Sequence, residues 1–242
     1  PASSLPRRAF LSTPLAVGLP FLLSPSPALA FGSKLKDINA RLSAYGLPQM
    51  SPPASGFSPL LEMYGSGPNR EAMLVEFAHP SDWVVTRPSN DVNGEDGTVQ
   101  AGDYAKGDTA TFFVYEHEPV DVEKADKDFL GEVLQKAISQ KGSNVYQNFK
   151  VVKSSLSTHD GRPYAIVDFK YELLTGAGFE VGRRGVASVC SEGRSVQALW
   201  CATVDARYKK VGEGLRVSAE SFRVYADGVE GIKEKGRGAE EV

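Results

Sequence analysis

The chain holds 242 residues, 41% hydrophobic and 24% charged, with a formal net charge of −3. That length suits one globular domain with attachments, or at most two small ones, and the acidic balance excludes the basic footprint of wholesale nucleic-acid binding. The two cysteines, Cys190 and Cys201, form no C-x-x-C pair, which excludes a disulfide-stapled scaffold and a cysteine-based zinc or redox motif.

The chain opens on a basic pair, Arg7-Arg8, followed by a short apolar run over residues 15–23 and the small-x-small sequence Ala28-Leu29-Ala30. No acidic residue precedes Asp37. A basic start, a short apolar middle and an Ala-x-Ala end describe an export signal over residues 1–30. The paired arginines point to the twin-arginine route. The run is too short for a membrane span, which needs about 20 continuous apolar residues. An address in a thylakoid lumen fits, as does a bacterial periplasm.

Residues 31–59 read as a helix followed by a linker. Leu35, Ile38, Leu42 and Tyr45 recur at spacings of three and four, which predicts an amphipathic helix over 33–45 stopped by Gly46 and Pro48. Three prolines follow over 49–59, the composition of an extended linker. Because so short a helix is marginal alone in water, it is expected to gain stability by lying on a partner. Its basic residues Lys34, Lys36 and Arg41 are then candidate partner contacts.

Residues 60–228 carry the main domain. Strands are expected at 61–64, 72–77 and 109–116, with a long polar loop over 88–108 that holds a short strand near 98–100. The clearest helix spans 126–140, with Asp126 as its cap and one stripe made by Phe129, Leu130, Val133, Leu134, Ala137 and Ile138. Strands follow at 148–155, 162–174, 179–190 and 195–203, the last two joined by a hairpin turn at Glu192-Gly193. Asp205 is placed to cap a final helix in which Tyr208, Val211 and Leu215 share a face, and 221–225 closes as a strand. Residues 229–242 form a polar, charge-rich tail.

With that turn, Cys190 faces Ser195 and Cys201 lies six residues further along the strand. The separation is roughly 20 Å at the strand rise, against about 7 Å for a disulfide, so two free thiols are expected. Trp83 and Trp200 are expected in the core. The element order describes an α+β fold with a largely antiparallel sheet.

Specific local sequence meets this order. "VEFAHPSDWVV", with its Phe-x-x-Pro-x-x-Trp ending, resembles the first-strand motif of the PsbP family. "FFVYEHEP" resembles that family's next strand, "DFLGEVL" the start of its long helix, and "SVCSEGRSVQALWCATVDARYKKVGEGLRVSAESFRV" its closing hairpin, helix and strand. The resemblance covers about residues 60–225 in unbroken order. It implies a six-stranded, largely antiparallel sheet covered by helices in an α/β/α sandwich. It also implies a soluble or peripheral protein of the chloroplast thylakoid lumen. PsbP itself binds the lumenal face of photosystem II and helps retain calcium and chloride for water oxidation, and its relatives include assembly helpers for either photosystem. Two departures favour a PsbP-like relative over PsbP: Arg207-Tyr208 stands where the family usually has Arg-Trp, and the segment "NDVNGEDGTVQAGDYAKGDTA" is longer and more acidic.

Candidate chemistry is sparse. Asp91, Glu95, Asp96, Asp103 and Asp108 make an oxygen-rich loop. Asp96, Asp103 and Asp108 are its expected ligands for weakly bound Ca2+, although the spacing is not that of an EF-hand. No tightly bound cofactor is expected. Of the three histidines, His79, His117 and His159, none has a partner at metal-binding spacing, and strand alternation turns His117 away from Glu116 and Glu118. Some PsbP relatives hold surface metal with a histidine near the closing hairpin and a later aspartate. Asp205 matches the aspartate, but Arg183-Arg184 stands near the histidine's place. "TGAGFEVGRRG" reads as a turn leading into a strand that carries Arg183 and Arg184 on opposite faces, one of them available to an acidic partner. No Gly-x-Ser-x-Gly elbow occurs.

The expectation is therefore a non-enzymatic protein, peripheral to the membrane, attached to photosystem core subunits on the lumenal side. Photosystem II with its oxygen-evolving complex is the first partner expected. The alternatives are a transient assembly factor for photosystem I or II and a lumenal metal-binding carrier.

Overall fold

A computed structural model describes residues 34–65, 72–86, 98–116, 118–139 and 145–226. The export-signal reading, Asp96, His117 and the tail lie outside these residues. In chain order the elements begin with α1 (Leu35–Ala44), β1 (Phe57–Tyr64), β2 (Met73–Pro80), β3 (Val84–Thr86), β4 (Gln100–Asp103) and β5 (Asp108–Tyr115). A 3-10 turn (Val122–Lys124) leads to α2 (Lys127–Ile138), and then come β6 (Val145–His159), β7 (Arg162–Leu174), β8 (Glu180–Glu192), β9 (Ser195–Val204), α3 (Asp205–Glu220) and β10 (Arg223–Tyr225).

Period-two alternation sets the architecture. In β7, Tyr164 and Ile166 belong to one buried cluster and Ala165, Val167, Phe169 and Tyr171 to another, so both faces of the strand are covered. β8 and β9 divide in the same way: Val186, Cys190, Leu199 and Cys201 go to the first cluster, and Ala187, Val189, Val196 and Ala198 to the second. Strands covered on both faces are apolar almost without interruption, and this is why these segments are legible as strands from sequence.

The α+β class with antiparallel pairing holds, but the sheet differs from the six strands expected. The described residues form two sheets, one of seven strands in the order β3-β4-β5-β9-β8-β7-β6 and one of three in the order β1-β2-β10. Every pairing is antiparallel. The larger sheet includes the short strands β3 and β4: QAGD of β4 begins at the end of the short strand expected near 98–100, whereas the three residues VVT of β3 are too few to announce a strand.

Three apolar clusters define the layers. α2 covers one face of the larger sheet through Leu130, Val133, Leu134 and Ile138; each such side chain contributes about 1.5–3 kcal/mol on full burial. Asp126 caps this helix as expected, accepting from the Phe129 N–H at 2.8 Å. The opposite face meets Leu215, Ala219 and Phe222 around α3, together with Leu60, Val75 and Phe77 of the smaller sheet. The far side of the smaller sheet is covered by Ile38 and Leu42 of α1, packed with Leu61, Leu74, Ala78 and Tyr225. No helix among the described residues is long and apolar enough to cross a membrane.

The β8–β9 turn differs from expectation by one residue. Glu192 still pairs with Ser195, so the β8–β9 loop is Gly193-Arg194 and Cys190 faces Gln197 rather than Ser195. The buried Gln197 amide fixes this register: its oxygen accepts from the Glu192 N–H at 2.9 Å and its nitrogen donates to the Glu192 carbonyl at 2.9 Å. Four residues then separate the positions of the two cysteines along β9, about 13 Å at the strand rise, and both thiols are free and buried. The β6–β7 loop is Asp160-Gly161, with both residues at positive φ, 51° and 76°. That is the twist a two-residue hairpin demands, and Asp followed by Gly is a pair that accepts it.

At the start of α3 the cap position is Val204, not Asp205. Asp205 is the first helical residue and points to Arg184 at 3.6 Å.

Candidate functional site

The residues singled out from sequence do not converge. Asp103 is ion-paired with Lys106 at the β4–β5 turn. Asp108 opens β5 with its side chain only 3% exposed. It accepts two bonds from Arg207, from Nε at 3.2 Å and Nη2 at 2.7 Å, and one from the Thr203 hydroxyl at 2.6 Å. A calcium ion reaching these two carboxylates would have to displace Lys106 and Arg207. Among the described residues no group of three or more His, Cys, Asp and Glu side chains is placed to hold a metal ion.

Lys34 and Lys36 are exposed on α1 and Arg41 is half-buried. The apolar side of this helix is already covered by the smaller sheet, so only its charged side faces outward. Arg183 and Arg184 do point to opposite faces, and both have neighbours within the chain. Arg183 lies beside Tyr171 and helps offset the upward shift that burial imposes on that phenol. Arg184 lies 4.3 Å over the Tyr208 ring. Trp83 and Trp200 are half-buried at the margins of two different clusters.

The two described histidines, His79 and His159, bond locally. His79 is buried, and its Nδ1 donates to the Pro80 carbonyl at 2.8 Å, with burial holding its pKa down. His159 Nε2 is 2.9 Å from the Ser157 hydroxyl. Burial lowers the His159 pKa, and the Arg223 charge lowers it further.

What the chain does assemble is an open cleft of about 440 Å3 on the outer side of the smaller sheet. Its walls come from four places. The extended α1–β1 connection, residues 49–54, forms one side, and the β6–β7 tip, residues 158–160, another. Val217 and Ser221 enter from the end of α3, and the floor is Glu76 and Ala78 of β2 with Arg223 and Tyr225 of β10. Hydrogen bonds hold the walls. Asn39 of α1 bonds both the N–H and the carbonyl of Met50, at 2.8 and 3.0 Å. Arg162 donates to the Val224 carbonyl at 3.3 Å and lies 5.4 Å over the Tyr225 ring, tying β7 to β10. The Ser221 hydroxyl accepts from the Ala78 N–H and donates to the Ser218 carbonyl, each at 2.8 Å.

Glu76 is the unusual member. It sits mid-strand, opposite Leu61 on one side and Arg223 on the other, and is only 4% exposed. Its Oε2 has no hydrogen-bond partner among the described residues. Register places Arg223 beside it, yet the Arg223 guanidinium donates to the carbonyls of Glu220 and Phe222 at 2.8 and 2.6 Å and lies 5.5 Å over the Tyr164 ring. Desolvation therefore dominates. Burial pushes the Glu76 carboxyl up to about 7, the Arg223 charge opposes this in part, and the Asp160 charge adds to it. The cleft thus presents a carboxyl that exchanges its proton near neutral pH. The Ser221 hydroxyl and the His159 imidazole beside it bond elsewhere.

Sequence reading passed over Glu76, although a signal was present: one acidic residue inside the apolar run MLVEFA. What that residue faces depends on β10 and the β6–β7 tip, both distant in sequence.

No protein-family model and no curated protein sequence matches the chain. Among solved structures, the chain is similar to the solution structure of cyanobacterial PsbP (CyanoP) from Synechocystis sp. PCC 6803, at 19% sequence identity and a TM-score of 0.41, over 68% of this chain and 92% of that one.

Proposed function

We propose that the chain is a non-enzymatic extrinsic protein of the thylakoid lumen that attaches to photosystem core subunits. In this reading its first partner is photosystem II, where it supports calcium and chloride retention by the oxygen-evolving complex or the stability of the complex. The observation carrying the reading is the ordered series of PsbP-like stretches in the sequence. Residues 75–85 run through β2 into β3, 112–119 begin in β5, 128–134 lie in α2, and 188–224 take in the end of β8, all of β9 and α3, and most of β10. The leading Arg7-Arg8 and Ala28-Leu29-Ala30 support export to the same compartment. Attachment would use charged side chains, because the apolar side of α1 already lies on the smaller sheet; Lys34 and Lys36 are the exposed candidates.

Native-gel separation of thylakoid membranes, with mass-spectrometric tracking of this chain, tests the reading. Co-migration with photosystem II cores is the expected result. Confinement to incomplete subcomplexes would favour a transient assembly factor, and absence from every photosystem band would overturn attachment.

A further inference from the structure

A buried carboxylate oxygen without a partner is costly unless something completes it; Glu76 Oε2 is such an atom, and the residue lines a formed cleft. The chemistry around it selects the completing group. A second carboxylate, Asp160, stands at the exposed tip of the β6–β7 hairpin. The cation in the wall, Arg223, is held by two backbone carbonyls. The neighbouring imidazole, His159, has its pKa lowered and adds no charge at neutral pH. The cleft therefore offers acceptors and negative charge.

A metal ion is not the group that fits, because no set of three or more His, Cys, Asp and Glu ligands comes together among the described residues. At about 440 Å3 the space also exceeds what a bare ion needs and falls in the range of pockets that hold organic groups. Met50, Pro52, Pro53 and Val217 give its walls an aliphatic component, against which a methylene stem can lie while its charged head reaches the floor.

We propose that this cleft receives one protonated amine or guanidinium group, the end of a lysine or arginine side chain presented by a partner protein, with the Glu76 carboxylate as its acceptor on the floor and Asp160 as a second carboxylate at the mouth. The proposal does not depend on the identity of that partner, and it stands apart from the photosystem reading. Binding and proton release are coupled. The cation pairs with the ionised carboxylate, so occupancy lowers the Glu76 pKa and affinity rises as pH passes upward through it. The charged and titratable groups facing Glu76 are Arg223 and Tyr225 from β10, Asp160 and His159 from the β6–β7 hairpin, and Arg162 beyond the Tyr225 ring. Residues 49–54, Val217 and Ser221 add no charge.

The test uses the full chain with carboxyl-labelled glutamate, titrated by NMR with Nα-acetyl-lysine amide and Nα-acetyl-arginine amide, and with Nα-acetyl-norleucine amide as the uncharged control. The charged probes are expected to saturate resonances of the cleft, to lower the Glu76 titration midpoint by more than about one pH unit, and to bind about tenfold more tightly at pH 8 than at pH 6. Glu76→Gln is expected to remove the pH dependence and reduce binding to that of the control. Asp160→Asn keeps a residue that tolerates the positive φ of 51° and is expected to weaken binding about threefold. It carries the test should Glu76→Gln fail to fold. Equal binding of the norleucine probe, no saturable binding, or affinity that falls as pH rises would each overturn the proposal. The last outcome would identify protonated Glu76 as a donor to an acceptor ligand.

Discussion

Two buried carboxylates lie in the same chain and meet opposite circumstances. Asp108, between β5 and α3, accepts from Arg207 through both oxygens and from Thr203 as well. Glu76, in the middle strand of the smaller sheet, is buried to a similar degree, yet one of its oxygens has no partner and the nearby arginine bonds elsewhere. Burial alone therefore does not assign a role to an acidic residue. Pairing decides whether the charge fastens elements together or stays ready for something from outside. The larger sheet has completed its polar bonds at this point, while the smaller sheet leaves one open beside a cleft.

The largest effect is expected where the paired carboxylate is removed. Asp108→Ala strips the acceptor from the fully buried Thr203 hydroxyl, a loss of about 1–3 kcal/mol for that group alone, and it also frees the Arg207 guanidinium. Thermal unfolding should show a clear fall in midpoint. Asp108→Asn, which retains an acceptor for Thr203, should recover part of it. Equal stability of Asp108→Ala and the parent would mean that Asp108 does not fasten α3 to the sheet.

The open carboxylate should act in the other direction. The Glu76 pKa is raised from 4.5 to about 7 on folding. Between those values the folded state holds a proton that the unfolded chain has released, so stability is fullest below pH 4.5, declines through this window, and is flat above about pH 7. Glu76→Gln removes the ionisation, and the amide keeps a buried polar group in place. The variant is expected to match the parent in acid and to exceed it by up to about 3 kcal/mol above pH 7. Chemical denaturation at pH 4, 6 and 8 checks this. A constant difference across the series would show that Glu76 does not titrate in the window.

The contrast also explains which parts were legible in sequence. β7 coincides with the predicted 162–174, and α2 lies within the predicted 126–140 with its Asp126 cap, because their periodicity and capping are local. β3 and β4 are short, β4 pairing with β5 and β3 with β4, so the six-strand expectation fell short. α1 was legible as a helix, but its destination was not. Ile38 and Leu42 are fully buried by the smaller sheet, and β1 begins at Phe57 inside the stretch read as linker. Residues 34–59 are thus packed into the fold, since Asn39 and Met50 bond across them. Glu76 lay within a stretch quoted for its family resemblance, and its significance depends on the side chains of residues 160 and 223, which local pattern cannot bring together.

Asp103 supplies the smallest effect and sharpens the contrast from the solvent side. It lies five residues from Asp108 along the chain and also holds a cation, Lys106. Here Lys106 is 53% exposed, so water and salt screen the pair. Lys106 holds the Asp103 carboxyl below its ordinary range, so any stability it contributes is present above that range and is lost as pH falls through the lowered value. Asp103→Asn should leave the thermal midpoint at pH 7 unchanged within error at physiological salt, with only a slight difference from the parent emerging at low ionic strength. A fall comparable to that of Asp108→Ala would mean that the β4–β5 turn, rather than the buried bond to α3, holds this edge of the larger sheet.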